Sequence, residues 1–298
     1  MSTRSQLLAL TDELRRLKAG GHRVVTVTDE GLGQLRAAVN ASLAESTEPP
    51  TAEPAALTVS PVARRAAVPG MAIAPIPGEP PEVILPEGDR ATRWAALRDL
   101  VLNHPVCQAH VRPGKKIVLG VGSLHAQIFF CGEAPGADEE VQGEPFVGAA
   151  GQLLTRMIQG MGLKREQVYI GNIMNWRPEM VAGAGGVQVD NRPPTPEEMN
   201  FCLPFLRAQL QIVQPQVIVA LGKTAAEGLL GPGTFKAVGD VRGRWHTFAG
   251  VPLMVSYHPS YILRSQSNSS KRAIWEDLLK VMERVTLPIS EKQRNYFH

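Results

Sequence analysis

Short apolar segments with strand character alternate with helical segments along the chain after residue 91. One helix has clear start signals, with Thr195 as N-cap, Pro196 at the first helical position and Glu198 completing a capping box. This alternation predicts a mostly parallel sheet with helices on both faces. We therefore expect an α/β fold, a three-layer α/β/α sandwich around a four-stranded sheet. The predicted strands cover residues 126–131, 167–172, 216–221 and 252–257.

The composition is different before residue 91. Residues 46–90 contain ten of the 24 prolines, which predicts an extended, semi-rigid linker. Two short helical patterns precede this linker. We expect an N-terminal helical segment at 1–45, a Pro/Ala-rich linker at 46–90 and a globular domain at 91–298.

Composition excludes several classes of protein. The net charge of +3 over 298 residues neither demands nor excludes a polyanionic partner. No run of about 18 apolar residues is present, so we expect no membrane span. The amphipathic N-terminus contains acids and lacks the features of a signal peptide. Three cysteines make a disulfide framework unexpected and indicate a reducing, cytoplasmic location.

Polar side chains stand at the ends of three predicted strands. Glu133 follows the first strand, Asn172 ends the second, and His258 follows the last. In sheets of this kind, ligands bind beyond the carboxyl ends of the strands. The sequence therefore predicts a carboxylate, an amide and an imidazole at one edge of one sheet.

Other motifs allow alternative interpretations. The segment at 221–225, "LGKTA", resembles the end of a phosphate-binding loop, but Val217 stands where that motif needs glycine. The segment at 120–125, "GVGSLH", precedes a strand and so is not a dinucleotide fingerprint. Adjacent carboxylates at 138–140 could bind magnesium in a flexible loop, whereas a charge run is more often a solvated face.

The region between Val241 and Arg272 contains five basic residues and no acid. Its segment "HPSYILRSQSNSSKR" combines an imidazole, an aromatic ring, apolar residues and hydroxyl groups. This combination suits a loop that grips phosphates and inserts an apolar wedge into a duplex, and a plain solvated loop is the alternative. The candidate DNA-binding residues are Ser260, Tyr261, Arg264, Lys271 and Arg272.

Several motifs together resemble the uracil-DNA glycosylase superfamily, and most closely its family 4. They are "GEAPGADEEVQGEPFVGAAGQLL", "VYIGN", "NRPPTPEEMNFCLPFL", "VIVALG" and "HPSYILR". The resemblance extends over residues 98–285, in the family's order and spacing, and does not include the first 90 residues.

The resemblance implies an enzyme that hydrolyses the N-glycosidic bond of a flipped-out deoxyuridine in DNA, releasing uracil and leaving an abasic site. Glu133 then corresponds to the acid that positions water or stabilises the sugar cation, and Glu139 to a second important acid. His258 corresponds to the donor to uracil O2. No lysine is expected at the strand ends, so we expect hydrolysis without a Schiff base.

The same resemblance assigns the substrate-binding group. Phe146 corresponds to the aromatic that stacks on the flipped uracil, and Asn172 to the amide that reads its edge. Ala134 and His258 complete this predicted group. An Asn amide offers one donor and one acceptor in a fixed plane, which matches uracil N3–H and O4.

The expected partner is uracil-containing DNA, bound by a monomer that has no obligate protein partner and is nucleoid-associated when on DNA. One alternative is a non-catalytic or covalent uracil-DNA binding protein on the same fold. Covalent capture is disfavoured because the stretch at 177–196 contains no histidine and no basic cluster. A second alternative is an interaction module with a degenerate fold, against which the intact motif residues argue.

Family 4 members usually hold a [4Fe–4S] cluster on four cysteines. In this chain Cys107 and Cys202 match the first and fourth ligands, but His110 and Trp176 stand at the second and third. Such clusters are held by thiolates, with His as an occasional substitute, and an indole is no ligand. The sequence therefore predicts an enzyme without a cofactor, in which Trp176 packs between vestigial cluster positions.

Overall fold

The structure is a computed structural model that describes residues 75–180 and 191–298. The predicted helical segment at 1–45 and the first part of the predicted linker lie outside the described residues. Residues 75–89 form no helix or strand, yet Ile76, Val83 and Leu85 pack against the core. The folded domain therefore begins before residue 91.

The central sheet has six strands in the order β1-β3-β2-β4-β6-β5. The four predicted strands are the inner ones, β2, β3, β4 and β6, and they pair in parallel as predicted. The strands are β1 (Val121–Gly122), β2 (Ile128–Gly132), β3 (Tyr169–Asn172), β4 (Val217–Leu221), β5 (Trp245–Phe248) and β6 (Val251–Ser256).

Two short antiparallel edge strands, β1 and β5, make the sheet larger than the predicted four strands. β5 forms a hairpin with β6 through Ala249 and Gly250, which both have positive φ angles of 49° and 79°. Two-residue hairpin turns need such angles, but their usual sequence signal is Asn-Gly or Asp-Gly. The Ala-Gly pair lacks that signal, and β1 is only two residues long.

Ten α-helices surround the sheet in the described ranges. They are α1 (Arg90–Asn103), α2 (Pro105–Ala109), α3 (Ala137–Gln142), α4 (Ala149–Gly160), α5 (Pro196–Val213), α6 (Lys223–Leu230), α7 (Val238–Val241), α8 (Pro259–Ser265), α9 (Asn268–Arg284) and α10 (Glu291–Arg294). None of these helices combines the length and apolar character that crossing a membrane requires.

Alternate residues of β2 supply the two hydrophobic cores that flank the sheet. Phe129 and Cys131 belong to the cluster that includes α1, α5 and α6. Ile128 and Phe130 belong to the cluster that includes α4 and α9. Every residue of β2 is buried, as expected for a strand covered on both faces. This arrangement confirms the predicted α/β/α layers.

The predicted start of α5 is confirmed. The Thr195 hydroxyl accepts a hydrogen bond from the Glu198 amide at 3.2 Å, and the Thr195 amide donates to Glu198 Oε2 at 2.7 Å. Glu198 also forms a salt bridge with Arg192 at 2.6 Å. These contacts satisfy amide donors that a helix N-terminus would otherwise leave unpaired.

Two segments interpreted as loops are helices. The carboxylate run lies in the first turn of α3, where negative charge is favourable for the helix dipole. Gly143, with a φ of 82°, ends that helix. The segment after β6 is α8, which begins with Pro259 and uses the His258 side chain as its N-cap. A short helix therefore carries the "HPSYILR" motif, which the sequence suggested was a loop.

Candidate active site

The pairing of β2 with β3 places the first two strand-end groups side by side. Gly132 is the register partner of Asn172, and Glu133 follows directly. Backbone bonds extend the ladder, because the Ile173 amide donates to the Gly132 carbonyl at 3.0 Å. A pocket of about 500 Å³ opens at this edge of the sheet. Among the residues that line it are Glu133, Ala134, Glu139, Phe146, Asn172, His258, Ser260 and Arg264.

Gly132 gives the pocket its depth. A Cβ atom at this position would lie 2.4 Å from Asn172 Oδ1 and 2.5 Å from Phe146 Cζ. Any side chain here would therefore displace the amide or the ring. Gly132 was not among the predicted site residues, although a glycine between a buried strand and an acid is a detectable signal of close approach.

Asn172 presents an acceptor with no partner. Its side chain is buried, with 5% of its surface exposed. In the described part of the protein, no hydrogen-bond donor reaches its Oδ1 atom. A buried amide oxygen without a partner costs free energy of about 1–3 kcal/mol. This acceptor is therefore suited to a ligand that brings an N–H group into the pocket.

Phe146 occupies a constrained turn. It has a positive φ of 55°, which is uncommon for a residue other than glycine. Its ring centroid lies 5.7 Å from that of His258, with the planes inclined by 30°. Arg165 donates a hydrogen bond to the Pro145 carbonyl at 2.6 Å, and this bond stabilises the turn. A Cβ atom at Gly151 would lie 1.9 Å from the Phe146 carbonyl oxygen, so α4 packs directly on the turn.

Glu139 holds the same turn through backbone hydrogen bonds. Its Oε1 atom accepts from the amides of Val147 and Gly148 at 2.9 and 3.0 Å. Its Oε2 atom accepts from the Gly136 amide at 3.0 Å. Both oxygens of this predicted second acid are therefore engaged in fixing the chain on either side of Phe146. This geometry indicates a positioning residue.

The other two acids of the run have separate surroundings. Glu140 is buried and forms salt bridges with Arg112 and, at 3.0 Å, with Arg177. Asp138 lies beside Gly148, where an added Cβ atom would be 2.7 Å from Oδ2. The interpretation of the run as a solvated face is wrong for Glu140, because two arginines cover it. Glu139 is engaged by backbone amides and Glu140 by two arginines, and the described residues contain no metal-binding group of three acids, so the magnesium alternative gains no support.

Glu133 lies where burial and neighbouring groups act in opposite directions. Burial raises the pKa of its carboxyl group, and the charge of Glu227 raises it further. The nearby Thr224 hydroxyl lowers this pKa by favouring the carboxylate. Thr224 belongs to the first turn of α6, so this helix brings a hydroxyl group near the acid.

His258 is held as a neutral ring of defined tautomer. Its Nδ1 atom accepts the backbone N–H of Ser260 at 3.1 Å, so Nδ1 carries no proton and Nε2 does. Burial lowers the pKa of His258 to about 4, assisted by the positive charge of Arg264 and opposed by Glu139. At neutral pH the ring therefore offers Nε2–H as an uncharged donor.

The "LGKTA" segment has a structural explanation. Val217 lies within β4, so no glycine-rich loop precedes α6. Gly222, with a φ of 94°, allows the start of α6 to pack closely against His258. A Cβ atom added at this position would lie 2.9 Å from the His258 Cβ.

The expectation of no lysine at the strand ends is wrong. Lys223 follows β4 closely and lines the pocket. Its ammonium group lies 3.5 Å from Glu227, and its side chain is 54% exposed. A nucleophilic lysine usually needs desolvation or a cationic neighbour, and this environment provides neither.

The predicted DNA-binding residues fall into two groups. Ser260 and Arg264 line the pocket, and Tyr261 beside them has an exposed ring. Arg272 instead donates to the carbonyls of Arg294 and Tyr296 at 2.6 and 3.0 Å, and to Glu276 at 2.9 Å. Its donors therefore fix the C-terminal segment. Lys271 lies with α9 residues in a separate apolar groove.

The four vestigial cluster positions come together, but they do not fit an iron–sulfur cluster. The rings of His110 and Trp176 stack with centroids 5.1 Å apart and planes inclined by 14°. Trp176 is only 1% exposed and also contacts Phe201, at 6.0 Å between centroids. Its indole offers no ligand for iron and packs with His110 and Phe201.

The two remaining thiols are buried in this apolar setting. Burial raises the pKa of Cys107 to about 12 and that of Cys202 well above its ordinary value. In the protein without metal, both thiols are therefore protonated at neutral pH. In the described ranges, no group of three or more His, Cys, Asp or Glu side chains has a metal-binding arrangement.

Comparisons with known proteins identify the family of this chain. The model of the family "Uracil DNA glycosylase superfamily" matches residues 119–279. The Type-4 uracil-DNA glycosylase of Thermotoga maritima is 41% identical over 177 residues, which is 58% of this chain and 85% of that protein. The Archaeoglobus fulgidus Type-4 uracil-DNA glycosylase is 41% identical over 163 residues, 53% of this chain and 76% of that protein. The Type-5 uracil-DNA glycosylase of Pyrobaculum aerophilum is 29% identical over 143 residues, 47% of this chain and 63% of that protein.

We expect His258 to titrate with a pKa of about 4 and to carry its proton on Nε2 at neutral pH. Nitrogen-15 NMR of the imidazole measures both properties. The matched variant Arg264→Gln removes one cause of the depression, so the pKa should rise while remaining below the ordinary value of about 6.5. Titration of the wild-type ring near that ordinary value, or an Nδ1–H tautomer, would contradict the geometry.

Proposed function

The chain belongs to the uracil-DNA glycosylase superfamily, and from this premise we propose that it removes uracil from DNA by hydrolysing the N-glycosidic bond of a flipped-out deoxyuridine, leaving an abasic site. The observation that carries this proposal is the unpartnered Asn172 Oδ1, buried beside the Phe146 ring above Gly132. These three residues make a narrow slot with an aromatic wall and a polar end. A flat base that presents an N–H group fits such a slot.

Base recognition follows from the donors and acceptors of Asn172. Its Oδ1 accepts the N3–H of uracil, and its NH₂ group donates to O4. Cytosine has an unprotonated N3 and an amino group in place of O4, so an amide held in this orientation mismatches both. Ala134 lies on the pocket wall and keeps it narrow beside Glu133.

The chemistry requires stabilisation of two opposite charges. Breaking the bond leaves an oxocarbenium-like sugar and a uracil anion. The carboxylate of Glu133 stabilises the cation and orients the attacking water, and the nearby Thr224 hydroxyl favours its ionised form. The neutral Nε2–H of His258 donates to uracil O2 as negative charge develops there.

The acidic partner must be ionised for this role. Burial raises the pKa of Glu133, so its carboxylate is lost at a higher pH than for an exposed glutamate. The rate should therefore fall as pH falls through that raised pKa. Protonation of His258 does not change the rate over the same pH range, because the pKa of His258 is about 4.

Glu139 acts through another residue. It fixes the backbone around Phe146 and does not use its oxygens on the substrate. Phe146 can then stack on the extruded base, which returns about 1–3 kcal/mol against an extrusion cost of a few kcal/mol. The strand that carries the uracil is proposed to contact α8 at three residues. Ser260 and Arg264 line the pocket, and Tyr261 lies between them.

We infer that this chain works without an iron–sulfur cluster. The stacked His110–Trp176 pair occupies the place of two thiolate ligands and ties α2 to the core through ring contacts. The neighbouring His104, the N-cap of α2, packs edge-on against Phe201 at 5.3 Å. Packing of this kind supports the proposal that ring contacts stabilise this region in place of a cluster.

The same proposal includes the setting of the enzyme. Uracil-containing DNA is its partner, and the protein acts as a monomer with no obligate protein partner. It is cytoplasmic, and nucleoid-associated when bound to DNA.

We expect the full-length protein to release free uracil from a uracil-containing oligonucleotide and to leave the abasic strand uncut. Glu133→Gln should slow the single-turnover rate roughly a hundredfold, about 2.7 kcal/mol of lost transition-state stabilisation. Glu144→Gln is the matched control, because Glu144 is an exposed acid of the same region outside the pocket. Rapid-quench assays with labelled uracil measure both rates.

The same assay separates the alternatives. A stable protein–DNA adduct without uracil release would indicate a covalent binder, and binding without release a non-catalytic one. An adduct that forms only with borohydride, and disappears in Lys223→Ala, would indicate Schiff-base chemistry at Lys223. A Glu133→Gln rate within threefold of the wild type would show that Glu133 is misassigned.

We expect the protein purified without oxygen to be colourless and to contain far less than one iron atom per chain. The double variant His110→Cys/Trp176→Cys supplies four thiols at the four positions, and reconstitution with iron and sulfide should give it a cluster. Iron and sulfide analysis and visible absorbance measure this result. About four iron atoms per wild-type chain would contradict the proposal. A double variant that stays free of iron would show that the four positions do not converge as described.

A further inference from the structure

An ion pair lies at the end of β6, just before the "HPSYILR" motif. Asp277 of α9 is fully buried and accepts from Arg242 Nε at 3.1 Å and Arg242 Nη2 at 2.8 Å. The hydroxyl of Ser256, the last residue of β6, donates to Asp277 Oδ2 at 2.7 Å. Arg242 Nη2 also donates to the carbonyl of Ala273. Removing either partner of such a pair leaves the other charge buried, so the geometry is strongly constrained.

The charge state of the pair supports this geometry. Burial raises the pKa of Asp277 to about 6, against the lowering by Ser256, Arg242 and Lys280. The carboxylate is therefore ionised at neutral pH and holds the guanidinium in a two-point contact. A guanidinium fixed in this way has a defined plane, which a lysine could not provide.

An aromatic stack begins at this guanidinium. Arg242 Cζ lies 5.3 Å from the centroid of the Tyr257 ring. Tyr257 in turn stacks on Tyr261, with centroids 4.7 Å apart and planes inclined by 23°. Tyr257 also packs against the hydrophobic cluster of α4 and α9. The stack therefore leads from the core of the domain to the exposed ring of Tyr261.

The outer end of this stack adjoins the base pocket. Tyr261 is 36% exposed and lies in the first turn of α8. Its amide donates to the His258 carbonyl at 2.8 Å. Ser260 precedes it and Arg264 follows one turn later, and both line the pocket. A strand whose nucleotide enters the pocket would therefore bring its next base to this helix.

We propose that the Tyr261 ring is a preformed stacking platform for the nucleobase next to the flipped nucleotide, and that Arg242, held by Asp277, is the positioning residue that sets its orientation. This inference rests on the proposed function. The platform is sequence-tolerant, because every base has a π-face. After the uracil has flipped out, the platform binds the same strand at the neighbouring base. It replaces part of the stacking that this base has lost.

The predicted size of the effect follows from base stacking on aromatic side chains. Such stacking is worth about 1–3 kcal/mol per base, which corresponds to a loss of about 5- to 150-fold in affinity on removal. The two-point Arg242–Asp277 contact means that the ring is oriented before DNA binds, so little conformational entropy is lost on binding.

The test uses full-length Tyr261→Leu and Tyr261→Phe, with 2-aminopurine placed on either side of the uracil in a single-stranded oligonucleotide. Leucine keeps apolar cover over Tyr257 but has no π-face, whereas phenylalanine keeps the face. We expect quenching of 2-aminopurine at one of the two positions for the wild type and Tyr261→Phe, and its loss in Tyr261→Leu. Affinity should fall at least fivefold in Tyr261→Leu and stay within twofold in Tyr261→Phe.

Salt dependence separates stacking from phosphate contact. The loss of affinity in Tyr261→Leu should be the same at low and high salt, because stacking releases no counterions. Arg264→Gln is the comparison. If Arg264 contacts a phosphate, this variant should reduce the slope of log affinity against log salt concentration by about one. A reduced slope in Tyr261→Leu would assign the tyrosine to the backbone and overturn the platform.

Arg242→Gln tests the positioning role. The uracil-release rate at saturating DNA should stay within threefold of the wild type, while 2-aminopurine quenching and affinity fall as in Tyr261→Leu. The His258 imidazole signal and thermal unfolding, measured on the same protein, establish that the pocket is intact. Equal loss of saturating rate and affinity would show a general structural role and overturn the positioning role.

The outcomes distinguish the two levels of the account. No uracil release by the wild type would overturn the proposed function. Normal release by the wild type and by Tyr261→Leu, with unchanged 2-aminopurine quenching at both positions, would overturn the platform alone. Because the Tyr261 ring is exposed, substitutions at this position should not prevent folding.

Discussion

The base pocket depends on the register in which β2 pairs with β3. This register places Gly132 opposite Asn172, and the missing side chain at Gly132 leaves room for both the amide and the Phe146 ring. A shift of one residue would turn Asn172 to the other face of the sheet. The pocket is therefore set by backbone hydrogen bonds of the parallel ladder, which are among the most buried in the domain.

Much of the fold and the centre of the site could be predicted from the sequence. The parallel strands follow from short buried apolar runs, and Glu133, Asn172 and His258 follow from the rule that ligands bind at strand ends. The edge strand β5 could not be predicted, because its Ala-Gly turn lacks the usual hairpin signal. Its pairing depends on the tertiary context.

The carboxylate run shows where pattern reasoning fails. Adjacent acids look alike in sequence, yet Glu139 binds backbone amides and Glu140 lies between two arginines. Their roles depend on groups far away in the chain, such as Arg112 and Arg177. Likewise, five basic residues near α8 suggested a phosphate grip, but Arg242 is used on buried Asp277. Charge counts alone do not distinguish a paired cation from a free one.

The cluster positions illustrate how one fold can stabilise the same region by different means. In this chain an indole stacked on an imidazole shares a hydrophobic cluster with two buried thiols, and neighbouring phenylalanines extend the contact. Aromatic pairs contribute about 0.5–1.5 kcal/mol beyond the area they bury. The base pocket lies at the strand ends, and none of these four residues is among its lining.

The central claim is that Asn172 selects uracil by pairing with its N3–H and O4. The most direct measurement is the single-turnover rate of uracil release by Asn172→Asp compared with the wild type, under saturating single-stranded substrate. A carboxylate has acceptors only, so O4 loses its donor and the rate should fall about 10- to 100-fold, with weaker discrimination against cytosine. A rate of uracil release equal to that of the wild type would contradict the account.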